Sequence, residues 1–294
     1  MGILEEFRAL GEIPFGFEAA IVSDVPLGAG LSSSASLEVA FALGLKHLYG
    51  FELDGLELVK LCQRAENNFV GVPCGIMDQY VSYFAQSSSA IFLDTLTLKY
   101  QLVPVNLKEV AFLIVDSGVR RSLSYTGYAQ RRQECEEAVK WFSKKLKKAD
   151  LSLRDLDLIS LERVKDEMPK LLYYRAKHVV EENLRVLDMI RALEVSDASA
   201  VGKLLTNSHV SLRDLFDVSI PELDFLVETG LQLGALGARL IGGGFGGSTL
   251  HLIPLQIKER YVKSLSETYY QKFGLQINMF EVKPAGGAEA SFLD

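Results

Sequence analysis

The feature that most constrains the fold of this chain is a glycine- and serine-rich run near the N-terminus, PLGAGLSSSAS. It lies between a strand-like apolar segment (17–25) and a segment with helical periodicity (33–49). Glycines let the backbone approach an anion closely, because no Cβ intervenes. A helix that starts in the serines directs its free N–H groups and the positive end of its dipole at the same point. The run predicts a phosphate-binding loop of Pro26, Gly28, Ala29, Gly30, Leu31, Ser32, Ser33, Ser34, Ala35 and Ser36.

A simpler explanation of this glycine–serine loop (26–36) is a glycine-rich turn followed by a serine N-cap. The loop lacks the GK[ST] ending of a P-loop and the spacing of a dinucleotide-binding GxGxxG. Its serine hydroxyls could add donors to a phosphate or an oxygen ligand to Mg²⁺. On the residues alone, both explanations stay open.

The hydrophobic pattern divides the rest of the chain into mixed helices and strands. Asp54 is a candidate N-cap for a helix that runs to about residue 70, and another helix follows over about 76–85. Further helical patterns occupy 129–148, 171–193, 198–212, 221–233 and 256–273, and strand patterns occupy 89–93, 98–103, 110–115, 238–241, 249–253 and 275–282. This mixture predicts two α+β layers with a boundary near residue 105.

Composition and charge exclude several classes of protein. The chain has 294 residues, of which 48% are hydrophobic, enough for one large or two ordinary domains. Its formal net charge of −7 argues against a nucleic-acid partner. No apolar run is long enough to cross a bilayer, and Cys62, Cys74 and Cys135 form no metal-binding pattern. We therefore expect a cytoplasmic, monomeric protein without a nucleic-acid or membrane partner.

Two carboxylates lie twelve residues apart: Glu66 near the end of the helix that begins after Asp54, and Asp78 after the turn that follows. A kinase that acts on a small alcohol needs one carboxylate to hold Mg²⁺ and another beside the acceptor hydroxyl. Most Glu and Asp side chains, however, lie on exposed surfaces. The chemistry of these residues alone therefore favours two exposed surface carboxylates without a catalytic role.

A second glycine loop (242–247) has the sequence GGGFGG and lies between two strand patterns. A hairpin turn needs one or two glycines, whereas this loop has five in six positions. Such a backbone can approach a site closely. The candidate site residues are Gly243, Gly244, Phe245, Gly246 and Gly247.

Taken in order, these motifs resemble the GHMP kinase family. GLSSSAS in the first loop and PCGIMDQ (73–79) are similar to the galactokinase branch in particular. Three later segments also match that branch: DSGVRRSL with GYAQRR (116–132), RAKHVVEE (175–182) and HVSLRD (209–214). The resemblance runs from about Ile21 to Gly287, which is nearly the whole chain.

The resemblance implies a two-domain α+β fold with the active site in the cleft between the domains. A ribosomal S5 domain 2-like N-terminal domain would span 1–105, and a ferredoxin-like C-terminal domain would span 106–281. A final strand, about 282–294, would return to the first domain. The implied phosphate donor is ATP, the cofactor is Mg²⁺, and the acceptor is galactose or a related sugar, phosphorylated at its anomeric hydroxyl.

The same resemblance assigns roles to individual residues. Asp78 is the candidate catalytic base and contacts the sugar together with Gly75 and Tyr128. Ser34 and Glu66 are the candidate Mg²⁺ ligands. The glycine–serine loop binds ATP, and the second glycine loop faces the site of phosphate transfer.

Independently of the resemblance, some of the arginines in 120–132 are expected to pair with Glu134, Glu136 and Glu137. His178 and His209 are not expected to bind a metal, because neither has a suitably spaced second ligand.

One galactokinase segment, G-R-x-N-L-I-G-E-H-x-D-Y, has no match in this sequence. In the family it supplies a transition-state arginine and acidic residues that hold the sugar hydroxyls, and the match gives Arg120 and Arg121 no such role. We therefore expect the chain as given to be truncated or to lack a complete sugar site, with weak MgATP and galactose binding and slow turnover. The alternatives are a kinase of N-acetylgalactosamine, arabinose or a uronic acid, or a catalytically silent sensor of sugar and ATP.

Overall fold

The computed structural model describes residues 1–120 and 124–292, which form two compact units. The first unit contains residues 1–27, 31–105 and the C-terminal residues from Lys283 onward. The second unit contains residues 28–30 and 106–282. Each unit mixes helices with strands, and the strand pairs within the described ranges are all antiparallel. This agrees with the predicted α+β class.

The first unit packs helices against one another and against a two-stranded antiparallel sheet. Its core includes Phe7, Val39, Leu58 and Leu61, each no more than 1% exposed. Burial of one such side chain stabilises the fold by about 1.5–3 kcal/mol. The elements are α1 (Gly2–Leu10), α2 (Ser33–Tyr49), α3 (Gly55–Arg64), α4 (Met77–Phe84), β1 (Ser89–Leu93) and β2 (Tyr100–Pro104).

Helix α3 begins at the predicted N-cap. Asp54 Oδ1 accepts a hydrogen bond from Glu57 N at 2.8 Å, and Glu57 Oε2 accepts one from Asp54 N at 2.9 Å. This reciprocal capping box satisfies two donors at the helix start. The helix then widens into a π-helical turn, Ala65–Val70, that ends at Gly71 with φ 83°. Such turns are rare and occur often at functional sites, and this one contains Glu66.

The second unit is built on a four-stranded antiparallel sheet in the order β4-β5-β3-β6. One hydrophobic cluster of its core contains four fully buried residues, Val115, Leu226, Ile253 and Leu265. Its strands are β3 (Val110–Asp116), β4 (Gly237–Leu240), β5 (Ser248–Pro254) and β6 (Asn278–Val282). Its helices are α5 (Ser124–Leu146), α6 (Leu158–Glu162), α7 (Lys170–Glu194), α8 (Ala198–Ser211), α9 (Pro221–Gln232) and α10 (Lys258–Phe273).

The predicted strand over 17–25 is wrong. Residues 17–25 form no strand, and no strand in the described part of the chain pairs with them. Ile21 is 61% exposed and Val22 is 93% exposed. A strand needs a neighbour that accepts its backbone hydrogen bonds, so an apolar β-prone sequence is insufficient by itself.

The predicted final strand over about 282–294 is also wrong. The last strand, β6, ends at Val282 and pairs with β3. Pro284 brings no N–H to a ladder, and glycines weaken a strand. Residues 283–292 form no strand, but they belong to the first unit, to which this segment was predicted to return. They follow that unit through single backbone bonds, such as Gly287 N to Ala85 O at 2.8 Å.

Candidate functional site

The start of the glycine–serine loop belongs to the second unit. Gly28 (φ 70°) and Gly30 (φ 75°) lie in the left-handed region, which other L residues rarely adopt. Between them, Ala29 is buried, and its carbonyl accepts a hydrogen bond from Ser248 Oγ at 2.8 Å. A Cβ on Gly28 would lie 3.2 Å from Cδ of Arg120. Glycine is therefore favoured here chiefly by the backbone conformation, and an added Cβ would also require a small shift of the Arg120 side chain.

The end of the same loop opens α2 in the first unit. Ser32 occupies the N-cap position with left-handed angles (φ 57°, ψ 38°), and its side chain makes no capping hydrogen bond to the described residues. The carbonyl of Ser32 accepts from Ser36 N at 3.0 Å, as in a regular first turn. The first N–H groups of α2 consequently have no serine cap, which they would need if the loop were an ordinary capped turn.

Glu66 lies in the π-helical turn after α3 and is only 7% exposed, unlike a typical surface carboxylate. Its carboxyl group is hydrogen-bonded to that of Glu38 on α2. Burial, together with this bond, raises the pKa of Glu38 to about 8, although a hydrogen bond from Gln79 acts in the opposite direction. Glu38 is therefore mostly protonated at neutral pH.

Gln79 connects this carboxyl pair to the start of α4. Its side-chain Nε2 donates to Glu38 Oε2 at 3.0 Å and lies 3.8 Å from Cys74 Sγ. Gln79 is 2% exposed. Its Oε1 is buried and accepts no hydrogen bond from any residue in the described ranges. Burying a hydrogen-bond acceptor without a donor costs free energy, so Gln79 Oε1 is an unusual atom in the core of the first unit.

Asp78 is half-buried in the first turn of α4, directly before Gln79. The segment before it is fixed by hydrogen bonds, because Cys74 N donates to Asn67 Oδ1 at 2.8 Å. Gly75 is exposed. Burial raises the pKa of the Cys74 thiol, in keeping with a structural cysteine rather than a nucleophile.

The residues predicted to hold Mg²⁺ are a hydroxyl and a carboxylate. Ser34 is exposed in the first turn of α2, one helical turn before Glu38. Within the described ranges, no three His, Cys, Asp or Glu residues form a group that could hold a metal ion. Mg²⁺, however, is commonly bound by one or two carboxylates together with substrate phosphates and water. The donors here fit that ion in the presence of a nucleotide.

The second glycine loop is a tight turn packed within the second unit. A Cβ on Gly244 would lie 2.2 Å from Val218 O, and one on Gly246 would lie 2.9 Å from Val119 O. The loop is pinned where Ser117 Oγ donates to Gly247 O at 2.6 Å. Positive φ angles occur at Gly242, Gly244, Phe245, Gly246 and Gly247. Close packing and backbone conformation therefore already require most of these glycines.

Arg120 lies where the segment after β3 meets the start of the glycine–serine loop. Its Nη1 donates to both carboxylate oxygens of Asp116 at 3.0 Å, and Asp116 is 1% exposed. Arg121 lies outside the described residues. Tyr128, the predicted sugar contact, is 40% exposed near the start of α5.

The arginines that follow are structural, as predicted. Arg131 Nη1 pairs with Glu134 at 2.8 Å, and Arg175 Nε pairs with the same carboxylate at 2.6 Å. Arg131 also bonds to Asp217 at 2.8 Å. The buried pair of Arg175 and Glu134 joins α7 to α5, and the pair of Arg131 and Asp217 joins α5 to the segment after α8.

The two histidines also have structural contacts. His178 Nδ1 lies 2.8 Å from Ser211 Oγ, and burial lowers the pKa of His178 to about 4. His209 Nδ1 accepts from Leu240 N at 3.3 Å. Neither belongs to a metal-binding group in the described part of the chain.

The structure therefore groups the predicted residues in two sets, one within each unit. In the first unit, Glu66 and Asp78 are linked through Glu38 and Gln79. In the second unit, Gly28–Gly30 and the second glycine loop are linked by Ser248, whose neighbour Gly247 ends that loop. The sequence analysis did not single out Glu38, which contacts Glu66 and Gln79.

No helix in residues 1–120 and 124–292 is long and apolar enough to cross a membrane.

Comparison with known proteins gives consistent results over the chain. The model of the GHMP kinases N terminal domain matches residues 1–86, and that of the GHMP kinases C terminal domain matches residues 189–271. The chain is 42% identical to a galactokinase of Thermotoga maritima over 98% of its own length and 80% of that protein. It is 40% identical to a galactokinase of Roseiflexus over 97% of its length and 73% of that protein.

A solved structure is similar over nearly the same range. The crystal structure of Lactococcus lactis galactokinase complexed with galactose superposes with a TM-score of 0.91 at 35% identity. The similarity covers 97% of this chain and 74% of that one.

Proposed function

Since this chain belongs to the galactokinases of the GHMP kinase family, we propose that it transfers the γ-phosphate of ATP to the anomeric hydroxyl of galactose. The products are galactose 1-phosphate and ADP. The observation that carries the proposal is the start of α2, where N–H groups without a side-chain cap follow two left-handed glycines. Oriented N–H groups at a helix N-terminus bind phosphate. We further propose that the protein acts as a cytoplasmic monomer.

The glycine–serine loop binds the phosphates of ATP in this proposal. Its backbone N–H groups and the dipole of α2 are fixed before the reaction, so they stabilise developing charge without reorganising. Ser34 and Glu66 would hold Mg²⁺. When bound, this ion neutralises charge on the transferring phosphate. The second glycine loop keeps the backbone close to the site of transfer.

Asp78 is the proposed catalytic base. Its carboxylate accepts the proton of the anomeric hydroxyl as the new oxygen–phosphorus bond forms and the bond to ADP breaks. Gly75 and Tyr128 are proposed sugar contacts, since the resemblance assigns both positions to the substrate. Half-burial of Asp78 suits this role, because the side chain remains reachable.

The proposed nucleotide site is tested with Gly30→Val. The larger side chain would strain a backbone with φ 75° and fill the space in which a phosphate approaches. We expect ATP binding, measured by calorimetry, to be lost. Gly274→Val is the matched control, because Gly274 also has a left-handed φ of +67° and no neighbour within 4 Å of an added Cβ. Unchanged ATP affinity in folded Gly30→Val would refute the assignment.

The proposed acceptor is tested by product analysis. Galactose, N-acetylgalactosamine, arabinose and galacturonic acid are offered separately with ATP, and the phosphorylated product is identified by ³¹P NMR. We expect a 1-phosphate from galactose at the highest kcat/KM. A higher kcat/KM with another sugar would show that the protein is a kinase of that sugar, within the same branch of the family.

A further inference from the structure

Ser248 carries a buried hydroxyl group to which the sequence analysis assigns no role. It is the first residue of β5 and directly follows the second glycine loop. Ser248 is 0% exposed, and its Oγ donates to Ala29 O in the glycine–serine loop at 2.8 Å. The two residues are 219 positions apart in the sequence. A buried hydrogen bond therefore joins the proposed phosphate-binding loop to the sheet of the second unit.

The backbone around Ser248 is itself held in place. Ser248 lies opposite Asp116 in the register of β5 and β3. In the preceding residue, Gly247 O accepts from Ser117 N at 3.0 Å and from Ser117 Oγ at 2.6 Å, and Gly247 N donates to Val119 O at 2.9 Å. A group carried by such a packed element keeps its geometry better than one on a free loop. The hydroxyl of Ser248 is thus a fixed donor for the carbonyl of Ala29.

This hydrogen bond sets the direction of the peptide group between Ala29 and Gly30. A trans peptide is planar, so its N–H points opposite to its C=O. Because Ser248 holds the carbonyl of Ala29, the N–H of Gly30 is directed away from Ser248. That N–H belongs to the proposed phosphate site, and an N–H binds a phosphate oxygen only when it points at it.

Without the bond from Ser248, this peptide group has an alternative orientation. Glycine adopts positive and negative φ angles with similar ease, so the peptide beside Gly30 (φ 75°) can rotate at little steric cost. Rotation would turn the carbonyl oxygen of Ala29 towards the place of the phosphates. That oxygen carries partial negative charge and repels a phosphate. Holding the peptide therefore removes a conformation that opposes nucleotide binding.

We propose that Ser248 is a positioning residue for nucleotide binding, because it holds the Ala29–Gly30 peptide with its N–H towards the phosphates of ATP. This inference rests on the proposed function, which places the phosphates at the glycine–serine loop. It goes further by assigning a role in ATP affinity to a side chain of β5, outside both glycine loops.

The test is ATP binding to the whole chain, measured by calorimetry without sugar, followed by steady-state kinetics. Ser248→Ala removes the hydroxyl and adds no bulk. We expect ATP to bind about 3- to 10-fold more weakly, the loss that corresponds to one hydrogen bond between neutral groups. The KM for ATP should rise by a similar factor, while the KM for galactose stays unchanged. Ser248→Cys keeps the shape and a weak S–H donor, so its ATP affinity should lie between those of Ser248→Ala and the parent protein.

Ser208→Ala is the matched control in the same unit. Ser208 is also a buried serine, 4% exposed, and its Oγ donates to Glu182 Oε2 at 2.6 Å. Its loss should lower the thermal midpoint and leave ATP affinity unchanged. The control thereby separates a general loss of stability from a loss of positioning.

Comparison with Gly30→Val distinguishes this inference from the proposed function. If Gly30→Val loses ATP but folded Ser248→Ala binds it like the parent protein, the inference is overturned and the proposed phosphate site stands. If Gly30→Val also binds ATP like the parent protein, the phosphate site is wrong and the role of Ser248 is wrong with it. Should Ser248→Ala not fold, Ser248→Cys is held to the same criterion, and parent-like ATP affinity in that variant overturns the inference.

Discussion

At the scale of single residues, the proposed phosphate transfer depends most on Asp78. Asp78→Asn keeps the shape of the side chain and removes the proton acceptor. We expect kcat to fall by about 10²-fold or more, the usual loss for a positioned acid or base, while galactose affinity changes little. Asp166→Asn is the control, because Asp166 is an exposed carboxylate. Near-normal turnover of Asp78→Asn would leave Asp78 only a role in positioning the sugar.

The candidate site could be predicted where its signal is local in sequence. Asp78 lies in the short motif PCGIMDQ, and Ser34 lies in the serine run, so each is recognised from its neighbours. Glu38 is different, because its contact with Glu66 joins residues of two elements that are far apart in the sequence. Asp116 likewise gains its importance from the bond to Arg120. Contacts of this kind depend on tertiary packing and have no periodic pattern to reveal them.

At the scale of elements, close packing of α8 against β4 depends on a helical glycine. A Cβ on Gly202 would lie 2.2 Å from Leu236 O. Gly202→Ala should therefore lower the unfolding free energy by about 1–3 kcal/mol, the usual cost of overpacking. In α2, Gly44 has no neighbour within 4 Å of an added Cβ. Gly44→Ala should raise the unfolding free energy by about 0.5–1 kcal/mol. Urea denaturation of the two variants tests whether the unfolding free energy falls in Gly202→Ala and rises in Gly44→Ala.

The cap of α3 supports the turn that carries Glu66. Asp54→Ala removes the acceptor for Glu57 N and should cost about 1 kcal/mol of stability. Asp54→Asn keeps an acceptor oxygen and should cost clearly less. Thermal unfolding followed by circular dichroism compares the two variants. Equal losses would show that the charge of Asp54, and not its capping bond, stabilises the helix.

Most helices and strands could be predicted because their patterns are long or bounded by clear signals. Helix α2 begins within the serine run and ends at Tyr49, directly before Gly50 in the left-handed conformation. Its predicted bounds, 33–49, are confirmed. Helix α6 has five residues, too few to show a helical period, and was not predicted. The segment 17–25 has strand-like composition but no partner strand. Composition describes what a segment prefers, whereas pairing decides whether a strand forms.

At the scale of the whole molecule, buried histidines predict sensitivity to acid. Burial lowers the pKa of His251 to about 3 and that of His178 to about 4, below the ordinary value of 6.5. Between these values the unfolded chain binds more protons, so unfolding becomes easier as the pH falls below about 6.5. Each histidine contributes up to about 1.4 kcal/mol per pH unit. Glu38 acts in the opposite sense, because its raised pKa removes stability as the pH rises towards about 8.

The acid sensitivity is measured as unfolding midpoints between about pH 4 and 7. His178→Gln keeps a hydrogen-bonding group for Ser211 but cannot titrate, so its midpoints should depend less steeply on pH. His47→Gln, at an exposed position, should match the parent protein. A slope unchanged in folded His178→Gln would exclude this histidine as a source of acid sensitivity.

The central claim is that this chain phosphorylates galactose with ATP and uses Asp78 as the base. The most direct measurement follows ADP release and galactose 1-phosphate formation together, in the parent protein and in Asp78→Asn. We expect one ADP to appear for each galactose 1-phosphate, only when galactose is present, and we expect both products to be lost in Asp78→Asn. ADP release that is independent of galactose, or equal product formation by the two proteins, would contradict this claim.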